Sequence, residues 1–266
     1  MTLLRAIDSS GQPTVGWVVP ASSKAKPPPE TSIRPVFGAI PARYASTRLP
    51  GKPLRLLAGR PLIEHVYRRA QEVKSLDRVV VLTDDERIGQ AVSDFGGEFE
   101  MTPEGCASGT DRIAYAAQSW DAAAVVNIQG DEPLIEPEAI EKVAVHLRAN
   151  TDDPMVTLAT PTTSNDPENP DVVKVVVGLQ GQALYFSRSP IPNLRNAAGA
   201  SSLRHIGIYG YQREALMLLA QLEPSPLEIR ESLEQLRALE NGISIRVLTV
   251  EHAWQGVDTI QDLEQV

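Results

Sequence analysis

Arg43, Arg48 and Lys52 fall in one short loop, Ile40 to Leu54, that is rich in Pro, Gly, Ser and Thr. Small and turn-forming residues let backbone approach a ligand closely, and cations so placed neutralise phosphate oxygens through charge-assisted hydrogen bonds. The chain carries a formal net charge of -9, so this cluster runs against the overall trend. A solvated surface loop is the competing reading of charge alone. Further along, Asn127-Ile128-Gln129-Gly130-Asp131-Glu132-Pro133 delivers two carboxylates and an amide directly after an apolar run. That donor set suits magnesium, which takes one or two carboxylates together with phosphates and water, although acids in a turn can simply face solvent. Asp258, in Gly256-Val257-Asp258-Thr259, follows another apolar run and reads either as a second ligand or as the N-cap of a final helix. Ser108-Gly109-Thr110-Asp111-Arg112 opens a helical pattern with hydroxyls, amides and one cation, fit for a phosphate, for the polar edge of a base, or for ordinary capping. Ser187-Arg188 and Arg204-His205 add cations where an anionic second ligand would need partners.

Several chemistries fail on spacing. A P-loop would need glycine at position 46 and a hydroxyl residue at 53, where the chain has Ser46 and Pro53. No G-x-G-x-x-G occurs, Gly105-Cys106-Ala107-Ser108-Gly109 lacks the order of a nucleophile elbow, and no Asp-x-Asp pair is present.

The elements that must position these residues follow from hydrophobic periodicity. Val36 to Ile40 reads as a short buried strand, and Pro61 opens a helix through Leu62, Val66 and Ala70. Arg78 to Thr83 is followed by a helical pattern over Glu86 to Phe95, and Ala123 to Ile128 by one over Pro137 to Leu147. Continuous apolar strands alternating with helices predict an α/β fold with a mostly parallel central sheet, whose ligands sit beyond the carboxyl ends of the strands. Met155 to Ala159, Val172 to Val177, Ala183 to Phe186 and Leu203 to Tyr211 are short strands without long helices between them, which predicts a small antiparallel lobe over roughly 155–212. A helix over Leu227 to Leu239, a strand over Ile243 to Val250 and a short segment from Asp258 complete the pattern. Residues 1–35, broken by Pro27-Pro28-Pro29 and other turn residues, read as a flexible extension in which Trp17-Val18-Val19 is the one strand-like run.

With 266 residues, 42% of them hydrophobic, the chain can bury one substantial core. Its acidity argues against broad nucleic-acid binding and leaves local basic patches to small anions. A single cysteine, Cys106, excludes an intramolecular disulfide and a thiolate-rich zinc site. No apolar run is long enough to suggest a membrane span and no secretory signal is evident, so a cytoplasmic protein without integral membrane contact is expected.

Taken in order, these segments resemble the cytidylyltransferases that activate 3-deoxy-manno-octulosonate (Kdo), the CMP-Kdo synthetases of lipopolysaccharide assembly. The resemblance runs from Val36 to the end and is carried by Pro41 to Leu54, Thr83-Asp84, Ser108 to Arg112, Val126 to Pro133, Val173 to Val176, Leu184 to Pro192, Arg204 to Tyr211, Pro224 to Glu228, Leu233 to Arg237 and Gly256 to Thr259. Tyr44 to Pro50 resembles the loop of the Kdo enzymes rather than the glycine-rich loop of the sialic acid enzymes. The resemblance implies a nucleotidyltransferase, Rossmann-like fold and a reaction of CTP with Kdo that gives CMP-Kdo and pyrophosphate; another sugar acid, 8-amino-Kdo or a sialic acid, is the alternative substrate. It implies Arg43, Lys52, Asp131 and Asp258 as catalytic residues, with Mg2+ on Asp131 and Asp258. It implies a CTP pocket that includes Ala42, Arg43, Lys52, Thr83, Ser108, Arg112 and Gln129. Arg188, His205, Tyr209, Glu234 and Gln235 match its sugar-contacting positions, with Arg188 and His205 meeting the sugar carboxylate. A homodimer is implied as well. Cys106, where the family often has His, and the shortened segment 193–202 depart from its pattern.

Overall fold

The structure is a computed structural model, and it describes residues 34–45, 49–163, 166, 168–193 and 202–266, preceded by strand assignments at Leu4–Ile7 (β1) and Pro13–Gly16 (β2). β1 and β2 pair antiparallel within Met1–Ile33, a unit separate from Arg34–Val266. Apart from β1, β2 and residues 34–35, the anticipated extension, including Trp17-Val18-Val19, lies outside the described residues, as do Arg48 and nearly all of the 193–202 segment.

The second unit runs β3 (Val36–Ala42), a 3-10 turn at Lys52–Leu54, the small hairpin β4 (Leu56–Leu57) and β5 (Arg60–Pro61), α1 (Leu62–Gln71), β6 (Arg78–Thr83), α2 (Glu86–Asp94), β7 (Phe99–Met101), α3 (Gly109–Ala117), β8 (Ala124–Asn127) and α4 (Pro137–Ala149). It continues through β9 (Met155–Pro161), β10 (Lys174–Val177), β11 (Ala183–Ser187), β12 (Leu203–Gln212), α5 (Arg213–Leu219), α6 (Pro226–Glu231), α7 (Gln235–Glu240), β13 (Ile245–Thr249) and α8 (Ile260–Gln265).

β6, β3 and β8 lie side by side and parallel, with β7 parallel to β6 at the edge. Alternation along these strands sends side chains into two cores. Ile40, Val79 and Val81 join Ile63 and Val66 of α1, Ile88 and Val92 of α2 and Val143 of α4. Ala39, Val80 and Leu82 join Ile113 and Ala117 of α3, Leu216 of α5 and Leu236 of α7 on the other face. Strands buried on both faces need apolar residues at every position, which is why their sequences read as unbroken runs.

The antiparallel lobe is smaller than the 155–212 expectation. β9 lies within the main sheet, antiparallel to β12 and parallel to β13. β12 shifts register between Ile206 and Tyr209; its first half pairs with β10 and its second half with β8, so one strand serves both parts. The β10–β11 hairpin continues the same sheet beyond β12 as its antiparallel end. A short apolar run does not reveal which neighbour its edges will bond, and here β9 is paired on both.

Two further boundaries differ from expectation. The helix anticipated over Leu227 to Leu239 breaks at Ser232, which takes a left-handed φ of 52°, and Arg237 pairs with Glu228 across the break. α8 is capped by Thr259, whose hydroxyl accepts from the Asp262 amide while the Asp262 carboxylate accepts from the Thr259 amide. Asp258 is therefore one residue outside the cap.

Candidate active site

Because β3, β6 and β8 are parallel, the segments that follow Ala42, Thr83 and Asn127 emerge at one edge of the sheet. There they enclose a cavity of about 520 Å3. Ala42, Arg43 and Lys52 line it from the loop after β3, and Gln129, Asp131 and Asp258 from the segments after β8 and before α8. Ser108, Gly109 and Arg112 close it at the start of α3, beside Cys106.

The loop after β3 is shaped by Gly51 and Tyr44. Gly51 has φ 68°, its amide donates to the Tyr44 carbonyl at 3.0 Å, and a Cβ there would stand 3.1 Å from the Tyr44 ring. The Arg87 guanidinium also lies over that ring, 3.4 Å from the centroid. The pinned turn starts the 3-10 segment that projects Lys52 into the cavity. Its ammonium donates to Asp131 Oδ2 at 2.6 Å and to Asp258 Oδ1 at 3.1 Å. Burial opposes the charge on Lys52, but the two carboxylates outweigh it and hold the pKa above the ordinary lysine value.

Backbone contact accounts for the convergence of two aspartates so distant in sequence. The Val257 amide donates to the Asp131 carbonyl at 2.8 Å, which seats the segment before α8 against the one after β8. Gly130 lets the segment after β8 pass close to the end of β3, since a Cβ there would lie 3.0 Å from the Pro41 carbonyl oxygen. Next door, Trp254 donates to Glu132 Oε2 at 2.8 Å. Burial and the neighbouring Asp131 charge push the Glu132 pKa up to about 7 despite that bond.

Two carboxylates that meet one ammonium are spaced to receive one cation, and their hard oxygens suit a divalent ion. Among the described residues no cluster of three or more His, Cys, Asp or Glu forms a metal cage. Phosphate and water would have to complete the coordination shell, which is the usual arrangement for magnesium.

The remaining candidates for the nucleotide pocket divide. Ser108 caps α3 in a reciprocal box with Asp111 and also lines the cavity, so capping and a ligand-facing position coexist. Arg112 is buried, and its guanidinium pairs with Asp84 Oδ2 at 2.6 Å and bonds the Thr102 hydroxyl, which fixes its orientation. Gln129 donates to Asn127 Oδ1 at 3.3 Å. Thr83 is fully buried at the end of β6, its hydroxyl accepting from the Asp85 amide, and it is not part of the cavity wall.

The sugar-site candidates lie directly after β11 (Arg188), on β12 (His205 and Tyr209) and at the start of α7 (Glu234 and Gln235), outside the wall of that cavity. The His205 ring sits 5.0 Å from Phe186 and 5.4 Å from Tyr209. Its Nε2 meets the Thr157 hydroxyl at 2.9 Å. Thr157 has one proton to give and the Ile208 carbonyl stands 2.8 Å away to take it, so His205 Nε2 carries the hydrogen and Nδ1 the lone pair. Burial drives the His205 pKa down to about 3. His205 thus presents a neutral imidazole, not the second positive charge anticipated beside Arg188. Burial and the Glu234 charge raise the phenol pKa of Tyr209, which places that carboxylate near the same strand. Gln235 is buried, and its Nε2 has no hydrogen-bond partner among the described residues. Arg188 is held by Glu231, whose carbonyl accepts from its Nε at 2.9 Å and whose carboxylate accepts from its amide at 3.0 Å. Tyr209 pairs with Asn127 in the sheet, and Asn127 bonds Gln129, so the two groups of residues share one strand boundary.

Sequence reasoning assigned no role to Asp84, Trp254, Lys174 or Glu231. Lys174 is fully buried and donates to the carbonyls of Asn169, Val172 and Arg188. A lysine inside the Val172 to Val177 run was the signal available for it; the other three carry no local pattern.

An α/β sheet with a cation- and carboxylate-lined cavity at its strand ends defines a nucleotide-handling protein. The profile of the family described as cytidylyltransferase matches residues 38–245. A 3-deoxy-manno-octulosonate cytidylyltransferase of Geobacter sulfurreducens is 48% identical over 87% of this chain and 97% of its own length. The Myxococcus xanthus protein of the same name is 50% identical over 85% and 93%. A solved CMP:2-keto-3-deoxy-manno-octonic acid synthetase complexed with CTP superposes with a TM-score of 0.85 at 45% identity, covering 87% of this chain and 96% of that one. The chain belongs to the cytidylyltransferase family, and within it to the 3-deoxy-manno-octulosonate cytidylyltransferases.

Proposed function

We infer that the protein activates Kdo with CTP: the anomeric hydroxyl of Kdo attacks the α-phosphorus, a phosphorus–oxygen bond forms to the sugar, and pyrophosphate leaves with the electron pair of the broken bond. The observation that carries this reading is the meeting of Lys52 with Asp131 and Asp258 in the wall of the cavity. Phosphoryl transfer asks little covalent chemistry of the protein and much charge neutralisation and alignment.

Arg43 and Lys52 hold the triphosphate and stabilise the departing pyrophosphate. Asp131 and Asp258 would hold magnesium, which would supply charge withdrawal from the phosphate and favour ionisation of the attacking hydroxyl. Ala42, Ser108, Arg112 and Gln129 surround the nucleotide, and Asp84 keeps the Arg112 guanidinium in place. Thr83 contributes from behind that wall through its bond to the Asp85 amide.

On the sugar side, Arg188 supplies the charge for the carboxylate, and neutral His205 accepts a hydrogen bond at Nδ1. Tyr209 and Glu234 bond hydroxyls. The unpartnered Gln235 Nε2 is a donor in want of an acceptor, as a sugar hydroxyl would provide. The product feeds lipopolysaccharide assembly. The enzyme draws on CTP in the cytoplasm, and it pairs as a homodimer through the exposed side of the β10–β11 hairpin, where Leu184 is 57% exposed.

The test is pyrophosphate release from CTP and Mg2+ with Kdo, 8-amino-Kdo or N-acetylneuraminate offered separately. Turnover with Kdo at the highest kcat/KM is expected. Preference for another sugar acid would reassign the substrate, and silence with all three would leave a nucleotide-binding module without this activity.

A further inference from the structure

The ammonium of Lys52 bonds Asp131 Oδ2 at 2.6 Å and Asp258 Oδ1 at 3.1 Å, so it stands between the two carboxylates proposed to hold the divalent ion. One position between two carboxylates takes one cation at a time. From this we propose that Lys52 is the built-in counter-ion of that pair and makes loading of the divalent cation depend on nucleotide. The inference rests on the assignment of Asp131 and Asp258 as the metal carboxylates, and goes beyond it by giving the site an order of filling.

Lys52 projects from the 3-10 turn after Gly51, and that turn is tied down by the Gly51 amide on the Tyr44 carbonyl, so the ammonium is delivered to the carboxylates by rigid backbone. Its side chain is only 15% exposed, so the ammonium is shielded from salt more than the carboxylates of Asp131 and Asp258, which are 35% and 46% exposed. Finally, a free divalent ion arriving alone must displace the ammonium and leave it with no anion, whereas one arriving with a triphosphate brings the ammonium a new partner in the same cavity. An ammonium is also a flexible point charge with three rotatable donors, able to turn from carboxylate to phosphate by side-chain rotation.

The pairing therefore acts against futile occupancy. Two carboxylates held together without a cation repel one another, and the lysine removes that cost while keeping them spaced for the metal. Free magnesium then does not fill the site ahead of nucleotide, and metal and CTP enter together.

The experiment is a titration of the full chain with Mn2+ followed by electron paramagnetic resonance, without nucleotide and then with CTP. Without nucleotide, Lys52→Met is expected to bind Mn2+ about tenfold or more tightly than the unaltered protein, because the Lys52 ammonium no longer occupies the place between the two carboxylates. Lys52→Arg, which keeps a cation, is expected to show no gain, and Lys52→Met combined with Asp131→Asn is expected to lose it. With the unaltered chain, Asp131→Asn is expected to change nucleotide-free Mn2+ affinity less than twofold, a comparison that does not depend on the lysine variants folding. Equal Mn2+ affinity of Lys52→Met and the unaltered protein, or a large loss from Asp131→Asn alone, overturns the proposal. If the unaltered chain forms a bound Mn2+–CTP species while either of those results is seen, the counter-ion idea fails alone. If no such species forms, the metal assignment beneath it fails too.

Discussion

Acid titration of His205 offers a test in which the sign, the size and the pH window all follow from its surroundings. The imidazole lies between Phe186 and Tyr209, donates to Thr157, and has its pKa driven by burial to about 3. In the unfolded chain a histidine titrates near 6.5. As pH falls below about 6.5 the unfolded state takes up a proton that the folded state refuses, so stability falls with pH and the loss levels off only near the folded value. Each pH unit in that window costs about 1.4 kcal/mol, which makes the loss from pH 7 to pH 5 about 2 kcal/mol from this residue. His205→Gln removes the titrating group. Urea unfolding followed by circular dichroism at both pH values, for both proteins, yields the difference of differences, in which contributions such as that of Glu132 cancel. The unaltered protein should lose about 2 kcal/mol more than the variant over the interval. A difference below about 0.5 kcal/mol would refute the reasoning that burial keeps His205 neutral.

Other expectations follow from the same contacts. Asp131→Asn and Asp258→Asn should each lower kcat by about two orders of magnitude or more with the far-ultraviolet spectrum unchanged, since a divalent ion contributes several kcal/mol to the barrier; near-normal turnover would contradict the metal role. Gly210→Ala should destabilise by about 1–3 kcal/mol in urea, because a Cβ there would stand 2.6 Å from Val143 and 2.7 Å from both Leu147 and Val156, where α4 packs on the sheet. Asp84→Ala leaves the buried Arg112 guanidinium without its ion partner, and should cost about 3 kcal/mol or more in the same assay while raising KM for CTP.

The parallel half of the fold was legible because its strands are buried on both faces. Arg78 to Thr83 was anticipated with the bounds of β6, and the helical pattern from Glu86 matches α2 to within a residue. The pairing partners of β9 and β12 were not legible: edge hydrogen bonds involve backbone, and a register shift within β12 has no side-chain signature. Nor was the break at Ser232, since the helical spacing of Ile229, Leu233 and Leu236 continues across it. At the site, Lys52, Asp131 and Asp258 stood out as charges beside turn residues at strand ends, and the structure brings all three together. Asp84, Trp254 and Glu231 did not, because each meets its partner (Arg112, Glu132 and Arg188) only across a long stretch of chain, and nothing in the residues around it signals that bond.

The most direct test of the central claim is a crystal structure of the full chain with CTP and Mn2+, read at the manganese absorption edge. The account predicts an anomalous peak within coordination distance of both the Asp131 and Asp258 carboxylates, with the Lys52 ammonium turned onto the triphosphate. A peak bound by neither aspartate, or a triphosphate lying outside the cavity between Arg43 and Arg112, would contradict it.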